Sequence, residues 1–283
     1  KSIIIPDSVT TMGKAIFENS TNLESVTIPF VGDGINNAYL GYMFGADSQL
    51  SNSEYVPSSL KEVIITKATI IDDLAFANCQ SLKKVVIPDS VTTMGKAIFE
   101  NSTNLESVTI PFVGDGKNNA YLGHMFGASN YDDNSQYVPI SLKKVIITNV
   151  TSIGSFAFSG CAGLTSIVIP NSVTSIGESA FGGCRNLTNI EIPDSVTSIG
   201  NSAFDGCKSL ADIEIPDSVT SIGCGAFLGC TNLTIIVLPN KIKNIGSDAF
   251  FDCISLTNVY YEGIIEDWCN ISFKGMASNP MYY

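Results

Sequence analysis

The chain has 283 residues, with 27 acidic against 15 basic side chains, a net charge of -12 and a sequence pI near 4.4. Arg185 is its single arginine, so the clustered Lys and Arg that neutralise phosphate backbones are missing, and neither nucleic acid nor anionic lipid is an expected partner. No apolar run approaches the roughly 20 residues that span a bilayer, so membrane insertion is not expected, and nothing at the start reads as a signal peptide.

The first residues already belong to a repeat. Lys1-Ser2-Ile3-Ile4-Ile5-Pro6 matches Lys83-Lys84-Val85-Val86-Ile87-Pro88, just after a leading leucine. A terminal repeat normally carries a polar cap; none is present, and a fragment of a longer or processed protein is expected. Asp7 to Gly34 and Asp89 to Gly116 are the same 28 residues, displaced by 82. This larger unit divides into steps of 23, 37 and 22 residues, from Pro6 to Pro29 to Thr66 to Pro88. The 37-residue step carries one insertion within 30–39 and another within 46–60, around Leu40-Gly41-Tyr42-Met43-Phe44. The same insertions recur between Phe112 and Leu142. Tyr39, Met43 and Phe44, with Tyr121, Met125 and Phe126, are expected to pack inward and anchor them.

Further along, the period becomes constant. Pro170, Pro193, Pro216 and Pro239 fall 23 residues apart, as do Phe158, Phe181, Phe204, Phe227 and Phe250. Leu187, Ile190 and Ile192 have the alternation of a strand with one buried face, and Leu210, Ile213 and Ile215 repeat it. Pro-Asp-Ser or Pro-Asn-Ser then turns the chain, a stretch such as Val196 to Gly200 runs back, and a tight turn around Ser202-Ala203-Phe204 returns it. Gly177, Gly200 and Gly223 are expected at bends with φ > 0. A period between 20 and 29 with this spacing marks a leucine-rich repeat solenoid. The expected fold is one right-handed stack of about eleven parallel strands, with short strands or 3-10 turns on the opposite side. It would fill residues 1–263, as 82-residue super-repeats at 1–82 and 83–164 followed by regular repeats. A C-terminal cap is expected over 264–283, where Ile264, Ile265, Trp268 and Ile271 have helix-like spacing and the single Trp would cover the core.

Groups that could carry chemistry mostly have simpler roles. Cys79, Cys161, Cys184, Cys207, Cys230 and Cys253 each stand three residues after the repeat Phe, and Ser20 and Ser102 fill the same slot. Sulfurs one strand spacing apart, about 4.8 Å, are too far for a disulfide of about 2.05 Å. No short Cys pair suggests zinc. These are expected to be small, buried, reduced core residues without metal, while Cys224 and Cys269 lie outside the ladder. The single histidine, His124, stands where the first copy has Tyr42 and reads as a surface substitution, which leaves nucleophile activation without a base. Gly32-Asp33-Gly34 lacks the rest of a nucleotide fingerprint. No catalytic set, metal or cofactor is expected.

The pattern LxxIxIPxSVxxIGxxAFxGC, with the closing Val259-Tyr260-Tyr261-Glu262-Gly263-Ile264-Ile265-Glu266-Asp267-Trp268, resembles the BspA-like (Treponema-type) leucine-rich repeat family through nearly the whole chain. The position usually held by Asn is serine here, at Ser172, Ser195 and Ser218. The resemblance implies a secreted or surface-attached protein, and adhesion to host proteins or other cells in some members. The expected function is a non-catalytic recognition or adhesion module, monomeric, binding a protein or glycan partner that includes host-derived ones. The alternative is a passive spacer within a larger surface protein.

Two surfaces are candidates for contact. The outward strand positions carry an acidic patch, Glu191, Asp212 and Glu214. The second inserted loops differ completely between copies at Asp47-Ser48-Gln49-Leu50-Ser51 and Ser129-Asn130-Tyr131-Asp132-Asp133. Loops on a rigid scaffold are where binding concentrates, and Tyr offers contact area at low entropic cost. Asp47, Gln49 and Tyr55, with Tyr131, Asp132, Asp133 and Tyr137, are therefore expected to meet the partner more than the strand face does.

Overall fold

The computed structural model describes every residue except 37, 117, 119, 276–278 and 281–283. The chain is a parallel β-solenoid in two compact units, Lys1–Thr148 and Asn149–Tyr283. The first unit carries six front-face strands, Ser2–Ile4, Ser25–Ile28, Glu62–Ile65, Lys84–Val86, Ser107–Ile110 and Lys144–Ile147, each parallel to the next. In the second, Ser166–Val168 pairs with Asn189–Ile190, and Asp212–Glu214 with Ile235–Leu238 and then Asn258–Tyr261. These eleven strands start where the repeated leucines predict.

A single turn of 23 residues cannot bury its own apolar face, so stability comes from stacking onto neighbours. Register follows from that requirement, since a slip of one residue would turn every inward side chain outward. Ile213 lies opposite Ile236 and Ile236 opposite Val259. On the return face of the second unit, Ser175–Ile176, Ser198–Ile199, Ser221–Ile222, Asn244–Ile245 and Ser272–Phe273 form a second parallel ladder. Between the faces the repeat phenylalanines stack. Phe181, Phe204 and Phe227 are separated by 5.2 Å per step, with Phe158 and Phe250 continuing the column at 5.5 Å.

Gly177, Gly200 and Gly223 are not at φ > 0; the positive φ falls later, at Ser179, Ser202 and Gly225. The three glycines are needed because the backbones of adjacent turns nearly touch there. A Cβ on Gly200 would lie 2.6 Å from the carbonyl carbon of Gly177, and one on Gly223 2.5 Å from that of Gly200. The φ > 0 reading failed because space, rather than torsion, sets the constraint.

The six ladder cysteines are buried free thiols, and they do more than fill space. Sγ of Cys184, Cys207, Cys230 and Cys253 donates to the carbonyl of the Phe 26 residues earlier, at 3.1 to 3.2 Å. Ser102 occupies the same slot and donates to the Phe76 carbonyl at 2.7 Å. Ser and Cys interchange there because the slot needs a small side chain with a donor.

At the C-terminal end the helix is one turn, Ile265–Cys269. Ile264 and Ile265 are exposed. Trp268 is half-buried against Tyr261 and Phe273, at 5.3 and 5.4 Å between ring centres, and Ile271 is buried. The chain turns inward only at Trp268 because it must rejoin the return ladder at Ser272. Residues 276–278 and 281–283 of the expected cap lie outside the described residues.

Candidate recognition surface

In the first unit the two long turns replace a regular return strand with other structure. Leu40–Phe44 forms a 3-10 helix that ends at Gly45 with φ 109°, followed by a second 3-10 turn, Gln49–Ser51, and one helical turn, Asn52–Tyr55. The second copy repeats this as Leu122–Phe126, Gly127 with φ 103°, Tyr131–Asp133 and Asn134–Tyr137. Tyr39, Met43, Phe44, Tyr121, Met125 and Phe126 are all buried, as their spacing predicts. The Tyr39 hydroxyl donates to the Ala46 carbonyl at 3.1 Å, and burial raises its pKa above the usual phenol value.

Each insertion is latched by a fully buried asparagine. Asn52 Oδ1 accepts from the Gly41 amide at 2.8 Å while its Nδ2 donates to the Ala77 carbonyl at 2.8 Å. Asn134 Oδ1 accepts from Gly123 in the same way, at 2.8 Å. A Cβ on Gly41 would come within 2.4 Å of the Asn52 oxygen, so glycine is required opposite the latch. Sequence reading missed both asparagines. The signal was there: positions 52 and 134 agree immediately after five positions that all differ.

Beyond the latches the tips diverge on the outside. Gln49 and Leu50 stand where the second copy has Tyr131 and Asp132, and Leu50 is 69% exposed. Tyr55, Tyr131 and Tyr137 keep large exposed faces. Asp47 is exposed and paired with Lys14. Its counterpart Ser129 cannot repeat that pair with Lys96. Asp132 and Asp133 sit around Asn130, whose Oδ1 accepts from the Asp132 amide at 2.8 Å and whose Nδ2 donates to Asp133 at 2.9 Å. His124 is buried rather than on the surface, 8% exposed and edge-on to Tyr121 at 5.8 Å. Burial lowers its pKa below the ordinary imidazole value. The 3-10 helix turns this position inward, and its counterpart Tyr42 is half-buried edge-on to Tyr39 in the same way, which the sequence comparison did not reveal.

Cavities open beside the insertions. One of 700 Å³ is lined by Asp47, Gln49, Tyr39, Ile70, Asp72 and Asp73, among others. A neighbouring cavity of 460 Å³ shares Ile35, Ala38, Ile70, Ile71 and Asp72 with it and adds Phe30 and Lys67. Asp47 and Gln49 are thus brought together in one groove. Tyr137 lines a separate cavity of 330 Å³ with Glu100, Asn101 and Gln136. The acidic residues Glu191, Asp212 and Glu214 are exposed on the front face of the second unit. Asp217 and Glu262, not singled out in the sequence, extend this patch. A hydrogen bond with Asp217, reinforced by the charge of Glu214, raises the Glu262 pKa above the usual carboxylate range. Among the described residues no group of three or more His, Cys, Asp or Glu could hold a metal ion, and no helix is long and apolar enough to cross a membrane.

Parallel turns with leucine and isoleucine inside, a phenylalanine column and a donor slot define a leucine-rich repeat solenoid. The BspA type leucine-rich repeat region matches in six copies over residues 1–43, 48–122 and 140–279, and the chain belongs to this family. No protein among the curated ones compared matches it. Among solved structures it is similar to a leucine rich cell surface protein from Faecalibacterium prausnitzii, at 29% identity over 96% of this chain and 81% of that one, TM-score 0.46. A leucine-rich repeat protein of T. pallidum is 24% identical over 71% of this chain and 70% of that one, TM-score 0.39. The Toll–Spatzle complex of Drosophila is similar at 15% identity, over 91% of this chain and 36% of that one, TM-score 0.51, a likeness of fold alone.

Proposed function

We propose that this chain is a non-catalytic recognition module, displayed outside the cell, whose inserted turns bind a protein or glycan partner. The observation that carries this reading is the pairing of identical buried latches with unlike exposed tips. Asn52 and Asn134 hold both insertions in one conformation, while every position from 47 to 51 differs from its counterpart in 129 to 133. A rigid base beneath a varied tip is how loops carry recognition. Family membership supports the surface location. Asp47, Gln49 and Tyr55 are the contacts proposed in the first copy, and Tyr131, Asp132, Asp133 and Tyr137 in the second. The acidic strand positions Glu191, Asp212 and Glu214 are secondary.

A passive spacer is the second reading, favoured by the duplication of 82 residues, which lengthens an array without adding a new kind of surface. The two separate in a binding survey of immobilised extracellular matrix proteins and a glycan array. The full chain is compared with a variant carrying Gly-Ser turns at 47–51 and 129–133. A recognition module binds at least one probe and loses at least tenfold affinity in the variant. A spacer binds none.

A further inference from the structure

The regular return ladder has a gap beside the first insertion. In the second unit each return segment from Thr174 onward bonds to the turn before it in one way. The Thr174 amide donates to the Thr151 carbonyl and the Gly177 amide to Ile153, both at 2.9 Å, and Ser175 O accepts from the Ile153 amide at 3.0 Å. The segment 92–95 follows the same rule, with Thr92 N bonded to Thr69 O at 2.9 Å and Gly95 N to Ile71 O at 2.7 Å. The equivalent groups one turn earlier are the Thr69 amide, the Ile70 carbonyl and the Asp72 amide. None of the three has a hydrogen-bond partner among the described residues. The insertion is tied on its other side, where Met12 N donates to Asp33 O at 3.3 Å. The gap has closed ends as well. Lys67 N donates to Pro29 O at 3.0 Å before it, and Leu40 N to Ala75 O at 2.9 Å after it.

Between those ends the strand Ile70–Ile71 borders both cavities of the groove, with the insertion residues Ile35 and Ala38 lining both as well. Ile35 and Ile70 are 70% and 55% exposed. An open strand edge with space beside it is a template for a further strand. Charge selects among strands. The 700 Å³ cavity has Asp72 and Asp73 in its lining beside Asp47, which is paired with Lys14, while Lys67 of the 460 Å³ cavity is turned to the Asp7 carbonyl at 3.0 Å, on a chain of net charge -12.

We propose that this groove takes a short extended segment of a partner protein, which adds as a strand to Thr69–Asp72. Main-chain bonds go to the Thr69 amide, the Ile70 carbonyl and the Asp72 amide. An apolar side chain lies between Ile35 and Ile70, and a Lys or Arg reaches Asp72 and Asp73. The inference deepens the recognition reading by naming a peptide as the ligand and a strand edge as its site.

The test uses the full chain and a fluorescein-labelled peptide, acetyl-Lys-Val-Thr-Val-Lys-Thr-amide, with a second version N-methylated at alternate amides. Saturable binding by anisotropy is expected, with exchange of the Thr69 and Asp72 amides slowed at least tenfold. Thr69→Pro removes a donor that has no partner among the described residues, and Asp72→Lys reverses the local charge. Each weakens binding at least tenfold, as does N-methylation. Failure of Thr69→Pro to fold leaves Asp72→Lys and amide exchange to decide. Absence of saturable binding, undiminished binding in Asp72→Lys, or unchanged exchange overturns the proposal. Self-association that protects the same amides without peptide puts a second copy in the groove and also overturns it. Recognition through the loop tips survives those results, because the Gly-Ser variant leaves 67–75 intact.

Discussion

The regular turns and the inserted turns solve the same packing problem under different constraints. In the regular part each residue type recurs because its neighbour one turn away demands it. Phe204 and Phe227 stack with their planes 1° apart, Cys230 donates to the Phe204 carbonyl, and Gly223 fits against the Gly200 backbone. In the inserted part the column tilts, with Phe99 and Phe126 at 40°, and 3-10 turns stand where return strands would be. Satisfied ladders leave little room for a ligand or for variation. The insertions break the ladder, open cavities and leave a strand edge unpaired, so the irregular turns are where recognition can reside.

The largest effect belongs to the regular column. Phe204→Ala deletes a fully buried ring between two others and should cost about 3–5 kcal/mol by denaturant unfolding. A loss much below that would show that the column does not hold the regular turns together. Next comes the latch of the first insertion. Asn52→Ala leaves the Gly41 amide without a partner and the Ala77 carbonyl with only the Cys79 thiol at 3.6 Å and should cost about 1–3 kcal/mol. Amide exchange should accelerate around 40–56 while the Phe204 region is unchanged. Acceleration spread evenly over the chain would mean that the inserted and regular turns are not distinct.

The donor slot makes a smaller, paired prediction. Cys207→Ser should keep the bond to the Phe181 carbonyl as Ser102 does to Phe76. Cys207→Ala should cost roughly 1 kcal/mol more than the serine variant. Thiol reactivity checks the same slot. Burial raises the ladder thiols, with Cys184 and Cys253 pushed up to about 12, so the reactive thiolate is scarce until pH approaches that value. Cys224 is exposed, and its hydrogen bond with Ser247 lowers its pKa. At pH 8 a thiol reagent should modify Cys224 and Cys269 in the native protein and all eight cysteines after unfolding. Native modification of Cys207 would refute the buried slot. The smallest effect is Asp47→Ala. Its pair with Lys14 is exposed on both sides, at 41% and 84% of side-chain area, so the melting temperature should stay essentially that of the parent.

Much of this architecture could be read in advance because a repeat states its constraints many times over. The 23-residue period fixed the strand starts, the inward phenylalanines and the buried cysteines. Single events were harder to read. His124 occurs once and was misplaced, because nothing in its neighbours announces a 3-10 helix that turns it inward. Gly200 was assigned to a bend when the cause is contact with another turn, which chain-local reasoning does not see. The open edge at Thr69–Asp72 was invisible for the same reason, since a missing bond depends on where the insertion leaves the stack. Tyr55 and Tyr137 hold the same exposed position in the two insertions, whereas exposed Tyr131 stands where the first copy has Gln49.

The most direct test compares two variants in the same binding survey of matrix proteins and glycans. One carries Gly-Ser turns at 47–51 and 129–133; the other replaces Glu191, Asp212 and Glu214 by alanine. Both should melt within a few degrees of the parent. The inserted turns as the recognition element predict at least a tenfold loss of affinity in the first and less than a twofold change in the second. Retained binding in the loop variant with loss in the strand-face variant would contradict the account.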